Sequence, residues 1–89
     1  MTARFPAPHT SFTIGRATFR FYLGDCLDVL KRLPAHSLDA VVTSPPYNLG
    51  VRYRTYDDNI PRAQYLEWTG AWVEQVAAAL APEGSLFLN

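Results

Sequence analysis

The sequence contains little cysteine, no long apolar run and no excess of charge of either sign. Cys26 is the only cysteine among 89 residues, so no disulfide can form within the chain, as is usual in a reducing compartment. No apolar stretch approaches the roughly 20 residues that a membrane-spanning helix needs. The first residues also lack the basic start and apolar run of a signal peptide. These absences predict a soluble, intracellular protein that needs no membrane.

The charge balance restricts how the chain could bind nucleic acid. Eight basic and eight acidic side chains give a formal net charge of zero. A self-contained DNA-binding domain usually has a basic excess, because contacts to phosphates supply much of its affinity. If this chain acts on DNA, we expect most of the basic contacts to come from elsewhere. The apolar fraction of 48% and the aromatic fraction of 13% predict a packed globular fold of one domain at most.

The order of apolar segments and breakers predicts an α/β fold. A hairpin comes first, and its second arm alternates so that Phe19, Phe21 and Leu23 share one buried face. Asp25 is expected to cap the first helix, and Pro61 to lie in the first turn of the second. An apolar stripe at helical spacing marks the second helix, and its Trp68 and Trp72 are predicted to pack in the core. The predicted strands are residues 12–14, 18–23, 38–43 and 85–89, and the predicted helices are 26–33 and 61–80. From its second strand onward this order is β-α-β-α-β, half of an open parallel sheet with buried strands.

The tetrapeptide Ser44-Pro45-Pro46-Tyr47 directly follows a predicted buried strand. Ligands of open α/β sheets bind beyond the carboxyl ends of the strands, so this is a favourable position for a site. The two prolines fix two φ angles and carry no N–H, which leaves rigid carbonyl acceptors. Ser44 adds a hydroxyl and Tyr47 adds a flat aromatic face.

This combination fits a planar ring that carries an exocyclic amine. The Ser44 hydroxyl and the Pro45 carbonyl can accept the two N–H groups and draw the nitrogen toward tetrahedral geometry, which frees its lone pair for attack on a methyl group. Tyr47 can stack on the ring, a contact worth roughly 1–3 kcal/mol per base. Such a base is unreachable inside a duplex, so it must be flipped out.

Simpler explanations exist for the same residues. Pro-Pro-Tyr can be a strand-ending turn or an exposed polyproline ligand, although a WW-type ligand needs a spacer before its tyrosine. Helix capping alone would account for Asp25, and Cys26 has the character of a small buried apolar residue. A zinc site is not predicted, and Asp57-Asp58 is weak evidence for any other metal. Arginines 52, 54 and 62 are expected either to touch phosphates or to be solvated.

The segment 43–48 resembles the catalytic signature of DNA adenine-N6 and cytosine-N4 methyltransferases, in which Asp, Asn or Ser precedes Pro-Pro and an aromatic residue. Its surroundings resemble the start of the β-class of these enzymes, so that the likeness covers residues 22–89. Further similar segments are 24–26, 37–39, 56–59, 65–68 and 82–86.

This resemblance implies a fold, a cofactor and roles for residues. It implies a truncated, Rossmann-like sheet that uses S-adenosylmethionine, with Ser44, Pro45, Pro46 and Tyr47 catalytic. Asp25 would contact the cofactor's adenine, with Cys26 beside it. Residues 1–89 would be the N-terminal part of the catalytic domain of a prokaryotic, cytoplasmic enzyme that acts on double-stranded DNA, with residues 1–11 flexible.

The resemblance also leaves alternatives open. The family's glycine-containing methionine-binding loop is missing, since the five glycines occur singly, so we expect the isolated chain to be inactive. Ser44 slightly favours cytosine over adenine as the target. The rivals are a methyltransferase of RNA or protein amines and a non-catalytic remnant, which could form a homodimer that covers its open sheet edge.

Overall fold

The structure is a computed structural model that describes residues 4–46 and 59–89. Its elements follow one another as strand, strand, helix, strand, helix, strand, which is the predicted order. The predictions for Tyr47, Arg52, Arg54 and the Asp57-Asp58 pair lie outside the described residues.

The first two strands, β1 (Thr10–Ile14) and β2 (Ala17–Phe21), form the predicted antiparallel hairpin. Gly15 adopts a φ of 59° in the turn, a left-handed conformation that costs glycine little. The face predicted to be buried is open, however: Phe19 is 40% exposed, Phe21 48% and Leu23 81%. The reason is that β2 pairs with β1 alone within the described ranges, so its two phenylalanine rings pack on Phe12, the one aromatic ring of β1.

Helix α1 (Cys26–Arg32) begins where the sequence predicts. The carboxylate of Asp25 accepts a hydrogen bond of 2.8 Å from the backbone N–H of Leu27 and so caps the first turn. The helix ends at Arg32, and Leu33 forms its C-cap directly before Pro34, which cannot continue it.

Strands β3 (Leu38–Thr43) and β4 (Leu80–Leu88) form a parallel pair, joined by the long helix α2 (Arg62–Ala79). Leu38 pairs with Leu80, and the register then shifts, so that the next pair is Ala40 with Ser85. From there the pairing is regular to the ends of both strands, and Gly84 lies in the irregular part of β4. β4 begins five residues earlier than predicted, because the chain pairs once at Leu80 before this irregularity. A Cβ on Gly84 would lie 2.9 Å from a Leu80 methyl carbon, so glycine permits this close approach.

Helix α2 supplies the core. Its residues Trp72, Val76 and Ala79 are buried, and it contacts both α1 and β4. Pro61 is the N-cap, one position before the first turn in which it was predicted. No helix in the described part of the chain is long and apolar enough to cross a membrane.

Helices and strands thus form the mixed α/β fold that was predicted, but the strands lie in two separate two-stranded sheets. β2 does not join β3 and β4 within residues 4–46 and 59–89, so the predicted single sheet is not present in this part. The prediction that residues 38–43 are covered on both faces is also wrong on one side, since Val42 is 78% exposed. Helix α2 covers the other face, where Val41 is half-buried.

Candidate functional site

A cavity of about 430 Å³ lies between α1, α2 and the carboxyl end of β3. Its walls come from segments that are distant in sequence: the end of the hairpin, the start of α1, the residues around the end of β3, and one face of α2. The described residues that line it are Tyr22, Gly24, Cys26, Val29, Leu30, Val41, Thr43, Pro45, Pro46, Trp68, Trp72 and Val76.

Two residues of the predicted catalytic tetrapeptide, Pro45 and Pro46, line this cavity. They follow β3 in a segment that is neither helix nor strand. The segment is held at both ends: the Asn89 N–H donates to the Thr43 carbonyl at 3.0 Å, and the Tyr65 hydroxyl donates to the Pro46 carbonyl at 2.8 Å. The double proline is therefore tied to β4 on one side and to α2 on the other.

Ser44 and the proline carbonyls lie at this edge of the sheet. Ser44 is exposed, makes an interaction of its own, and is not among the described residues that line the cavity. The Pro46 carbonyl accepts from Tyr65, so the predicted amine acceptor on Pro45 is a different atom from the one that anchors the segment. Tyr47, the predicted stacking residue, falls outside the described ranges.

Of the two predicted cofactor residues, Cys26 lines the cavity, whereas Asp25 is not among the described residues that line it. Asp25 is exposed and caps α1, which uses one of its carboxylate oxygens and leaves the second as a further acceptor. Cys26 is exposed as a whole residue, yet it also lines the cavity. Its partial burial there, and the negative charge of Asp25, raise the pKa of the thiol above its ordinary value. Cys26 is thus a neutral thiol near pH 7 and suits an uncharged partner.

Several aromatic side chains complete the site, and the sequence indicated only part of their roles. Trp72 is buried as predicted for a core residue, but it also borders the cavity together with Trp68, whose ring centroid lies 6.3 Å away. The Trp72 indole nitrogen is buried and has no hydrogen-bond partner among the described residues. Tyr22 also lines the cavity and donates its hydroxyl to the Pro6 carbonyl at 2.7 Å. Helical spacing identified the tryptophans, whereas nothing in the sequence distinguished Tyr22 or Tyr65 as part of a site.

The cavity has the properties of a small-molecule site. Its volume falls within the roughly 300–1,000 Å³ of such sites, and apolar and aromatic side chains form most of its wall. It places flat rings beside rigid carbonyls, which suits a neutral heteroaromatic ligand. In the described part of the chain, no group of three or more His, Cys, Asp or Glu side chains could hold a metal ion.

Known proteins resemble this chain over much of its length. The family described as DNA methylase matches residues 38–89. The Type II methyltransferase M.MjaVI of Methanocaldococcus jannaschii is 47% identical over 57 residues, which are 64% of this chain and 29% of the relative. M.HpaI of Haemophilus parainfluenzae is 38% identical over 69 residues, 78% of this chain and 22% of the relative.

The name of a third relative states the base that it methylates. The DNA adenine methyltransferase YhdJ of Escherichia coli is 28% identical over 65 residues, which are 73% of this chain and 22% of the relative. The chain thus spans less than a third of the length of each of these curated relatives.

Proposed function

The chain belongs to the N6/N4 DNA methylase family, and from this membership we propose that it carries the target-amine pocket of an S-adenosylmethionine-dependent DNA methyltransferase. The observation that carries the proposal is the shared cavity. Pro45 and Pro46 line the same cavity as Gly24 and Cys26. A pocket for the target base and a pocket for a cofactor would have to adjoin in this way, because methyl transfer requires contact between the two ligands.

Ser44 and Pro45 are proposed to bind the exocyclic amine of the target base. The Ser44 hydroxyl oxygen and the Pro45 carbonyl accept its two N–H groups, which withdraws the lone pair from the ring and stabilises positive charge that develops on nitrogen. Pro46 keeps the corner rigid, and its bond to Tyr65 fixes the corner on α2. Tyr47 is proposed to stack on the base. The amine then loses a proton to solvent, so no dedicated base is needed.

Asp25 and Cys26 are proposed to hold the adenine end of S-adenosylmethionine, which supplies the methyl group when bound. The second carboxylate oxygen of Asp25 can accept from an amine or hydroxyl, as the cap uses only one. The raised pKa of Cys26 keeps the thiol neutral, so that it packs against a ring without placing a charge there. Tyr22, Trp68 and Trp72 add apolar walls.

The proposed substrate is double-stranded DNA with the target base flipped out, as the chemistry at Ser44 demands access to an amine that pairing hides. The net charge of zero means that the chain itself offers little attraction for phosphates. We therefore propose that methylation is carried out by a larger enzyme, cytoplasmic and prokaryotic, whose Rossmann-like sheet continues the β3–β4 pair. We also propose that the 89-residue chain alone is inactive.

Adenine and cytosine both fit the proposed chemistry, because each carries one exocyclic amine on a planar ring. Ser44 favours cytosine slightly, whereas the relative named as an adenine methyltransferase favours adenine. An RNA or protein amine is the alternative substrate, but the E. coli relative is named as a DNA methyltransferase, and the names of the other two relatives state no substrate.

The test replaces the matched segment of the M. jannaschii relative with this chain and measures transfer of a labelled methyl group to DNA, followed by nucleoside analysis for N6-methyladenine and N4-methylcytosine. We expect methylated DNA from the graft, none from the isolated chain, and a strongly reduced yield for Pro45→Ala, because alanine keeps the carbonyl acceptor but not the fixed φ angle that orients it. The matched control is Pro82→Ala, an exposed proline that is not among the residues lining the cavity. An unchanged yield for the Pro45→Ala graft would refute the assigned site, and robust turnover by the isolated chain would refute the need for a larger enzyme.

A further inference from the structure

The zero net charge of the chain conceals an uneven distribution of charge along the sequence. Residues 1–24 contain three basic side chains, Arg4, Arg16 and Arg20, and no acidic one, so their formal net charge is +3. The other residues contain the remaining five basic side chains and all eight acidic ones, so their formal net charge is −3. The positive part of the sequence contains the β1–β2 hairpin and the segment before it. Such a segregation of charge favours a polyanionic partner for the hairpin.

One side of the hairpin is polar throughout. The strand register pairs Ser11 with Arg20 and Thr13 with Thr18, on the side opposite to the phenylalanine rings of the two strands. We call these four residues the polar face. All four are exposed, so three hydroxyl groups and one guanidinium group are accessible from solvent on this side.

Arg20 is positioned by an aromatic contact that leaves its charge available. The central carbon of its guanidinium group lies 5.2 Å from the centroid of the Phe5 ring. A cation–π contact of this kind uses the flat side of the guanidinium, so the N–H groups at its edge can still donate to phosphate oxygens. Arg16 lies in the hairpin turn and is also exposed. Arginine, serine and threonine side chains are among the groups through which proteins bind the DNA backbone.

The polar face leads to the cavity. Alternation along β2 and into the next residues places Thr18, Arg20 and Tyr22 on the same side, and Tyr22 lines the cavity together with Pro45 and Pro46. At about 3.3 Å per residue, the five residues of β2 extend roughly 17 Å from this end. That length corresponds to about five successive phosphates of one DNA strand. A strand whose target base entered the cavity could therefore pass its neighbouring phosphates along the polar face.

We propose that the polar face and Arg16 bind the phosphate backbone of duplex DNA beside the target base. The contacts are independent of base sequence, because they reach phosphates and not base edges. This proposal rests on the proposed function, in which DNA is the substrate, and it adds a surface to which the catalytic and cofactor residues do not belong.

The test measures binding of the 89-residue chain to a dye-labelled DNA duplex by fluorescence anisotropy over a range of salt concentrations. We expect weak binding that tightens as the salt concentration falls. The double variant Arg16→Gln/Arg20→Gln should weaken this binding by roughly tenfold at low salt. It should also reduce the slope of log K against log salt by about 2, because each phosphate contact contributes about 0.9.

The matched control is Lys31→Gln/Arg32→Gln, which removes the same charge from exposed residues in the last turn of α1. It should change the affinity less than twofold. A second measurement uses the unmodified chain and is independent of the folding of any variant. Phenylglyoxal modifies accessible arginines, and mass spectrometry locates them. We expect the duplex to protect Arg16 and Arg20 but not Arg32.

Both measurements report binding, so their outcome is distinguishable from that of the methylation test. Protection of the hairpin arginines by DNA, together with a graft that does not methylate, would count against the methyl-transfer steps alone.

Three results would overturn the proposal. The first is absence of binding to the duplex at low salt, and the second is equal weakening by the two double variants. The third is tighter binding to phosphatidylglycerol vesicles than to the duplex, lost in Arg16→Gln/Arg20→Gln, because an anionic membrane would then be the partner.

Discussion

The hydrogen bond from Tyr65 to Pro46 is the contact through which α2 holds the double proline, and Tyr65→Phe removes it alone. Phenylalanine keeps the ring, and with it the contact to Trp68 at a centroid distance of 6.1 Å. The Pro46 carbonyl is part-buried and would lose its partner, which costs about 0.5–1.5 kcal/mol. A loss of about 1 kcal/mol lowers the melting temperature of a domain of this size by roughly 4–8 °C.

The chain offers a matched control for this change. Tyr22 also donates its hydroxyl to a proline carbonyl, that of Pro6, at 2.7 Å. Tyr22→Phe should therefore reduce the melting temperature by a similar amount, as followed by circular dichroism. Tyr65→Phe should also lower kcat of the grafted methyltransferase, by on the order of tenfold, because displacement of a positioning group is costly. Tyr22→Phe keeps the ring that lines the cavity and should lower kcat much less. Equal kcat values for the two variants, or an unchanged melting temperature for Tyr65→Phe, would refute the anchoring role.

Three further predictions concern the fold and the cavity wall. Gly84→Ala should destabilise the chain by about 1–3 kcal/mol in thermal or urea unfolding, because the new Cβ would lie 3.0 and 3.1 Å from two backbone oxygens. The control is Gly70→Ala in α2, which should not destabilise the chain because the space around Gly70 is open. Alkylation of Cys26 by iodoacetamide, followed by mass spectrometry, should rise with pH around a midpoint above the ordinary pKa of a thiol, because burial and the charge of Asp25 raise the pKa of Cys26. Asp25→Asn should shift that midpoint to lower pH, since it removes the negative charge. Asp25→Ala should reduce stability by about 0.5–2 kcal/mol through loss of the cap on Leu27, and an unchanged unfolding curve would contradict that capping role.

The local elements could be predicted because each has a local cause. Asp25 caps α1, Pro34 ends it, Gly15 permits the hairpin turn, and an apolar stripe marks α2. The family was likewise predicted from the segment around Ser44, and the match over residues 38–89 confirms it.

The pairing of strands and the packing of faces could not be predicted in the same way. Alternation along β2 indicates which side chains share a face, but not which element covers that face, and here Phe19 and Phe21 stay open. The run Val41-Val42 has the composition of a doubly covered strand, and only one of its faces is covered. In the site, the hydrogen bond from Tyr65 to Pro46 could not be predicted from the sequence, because the two residues lie on different elements.

The parallel pairing of β3 with β4 has a consequence for how the chain reaches its structure. In the hairpin, Ile14 pairs with Ala17, so the loop that closes is very short. Thr43 and Leu88, in contrast, are far apart in sequence and are connected through α2. Closing large loops costs more entropy before any contact repays it, and pairings distant in sequence slow folding. We therefore expect the hairpin and helices to form early and the β3–β4 ladder late. During synthesis β3 must wait for β4 to leave the ribosome, a period in which its edges are available for misassociation.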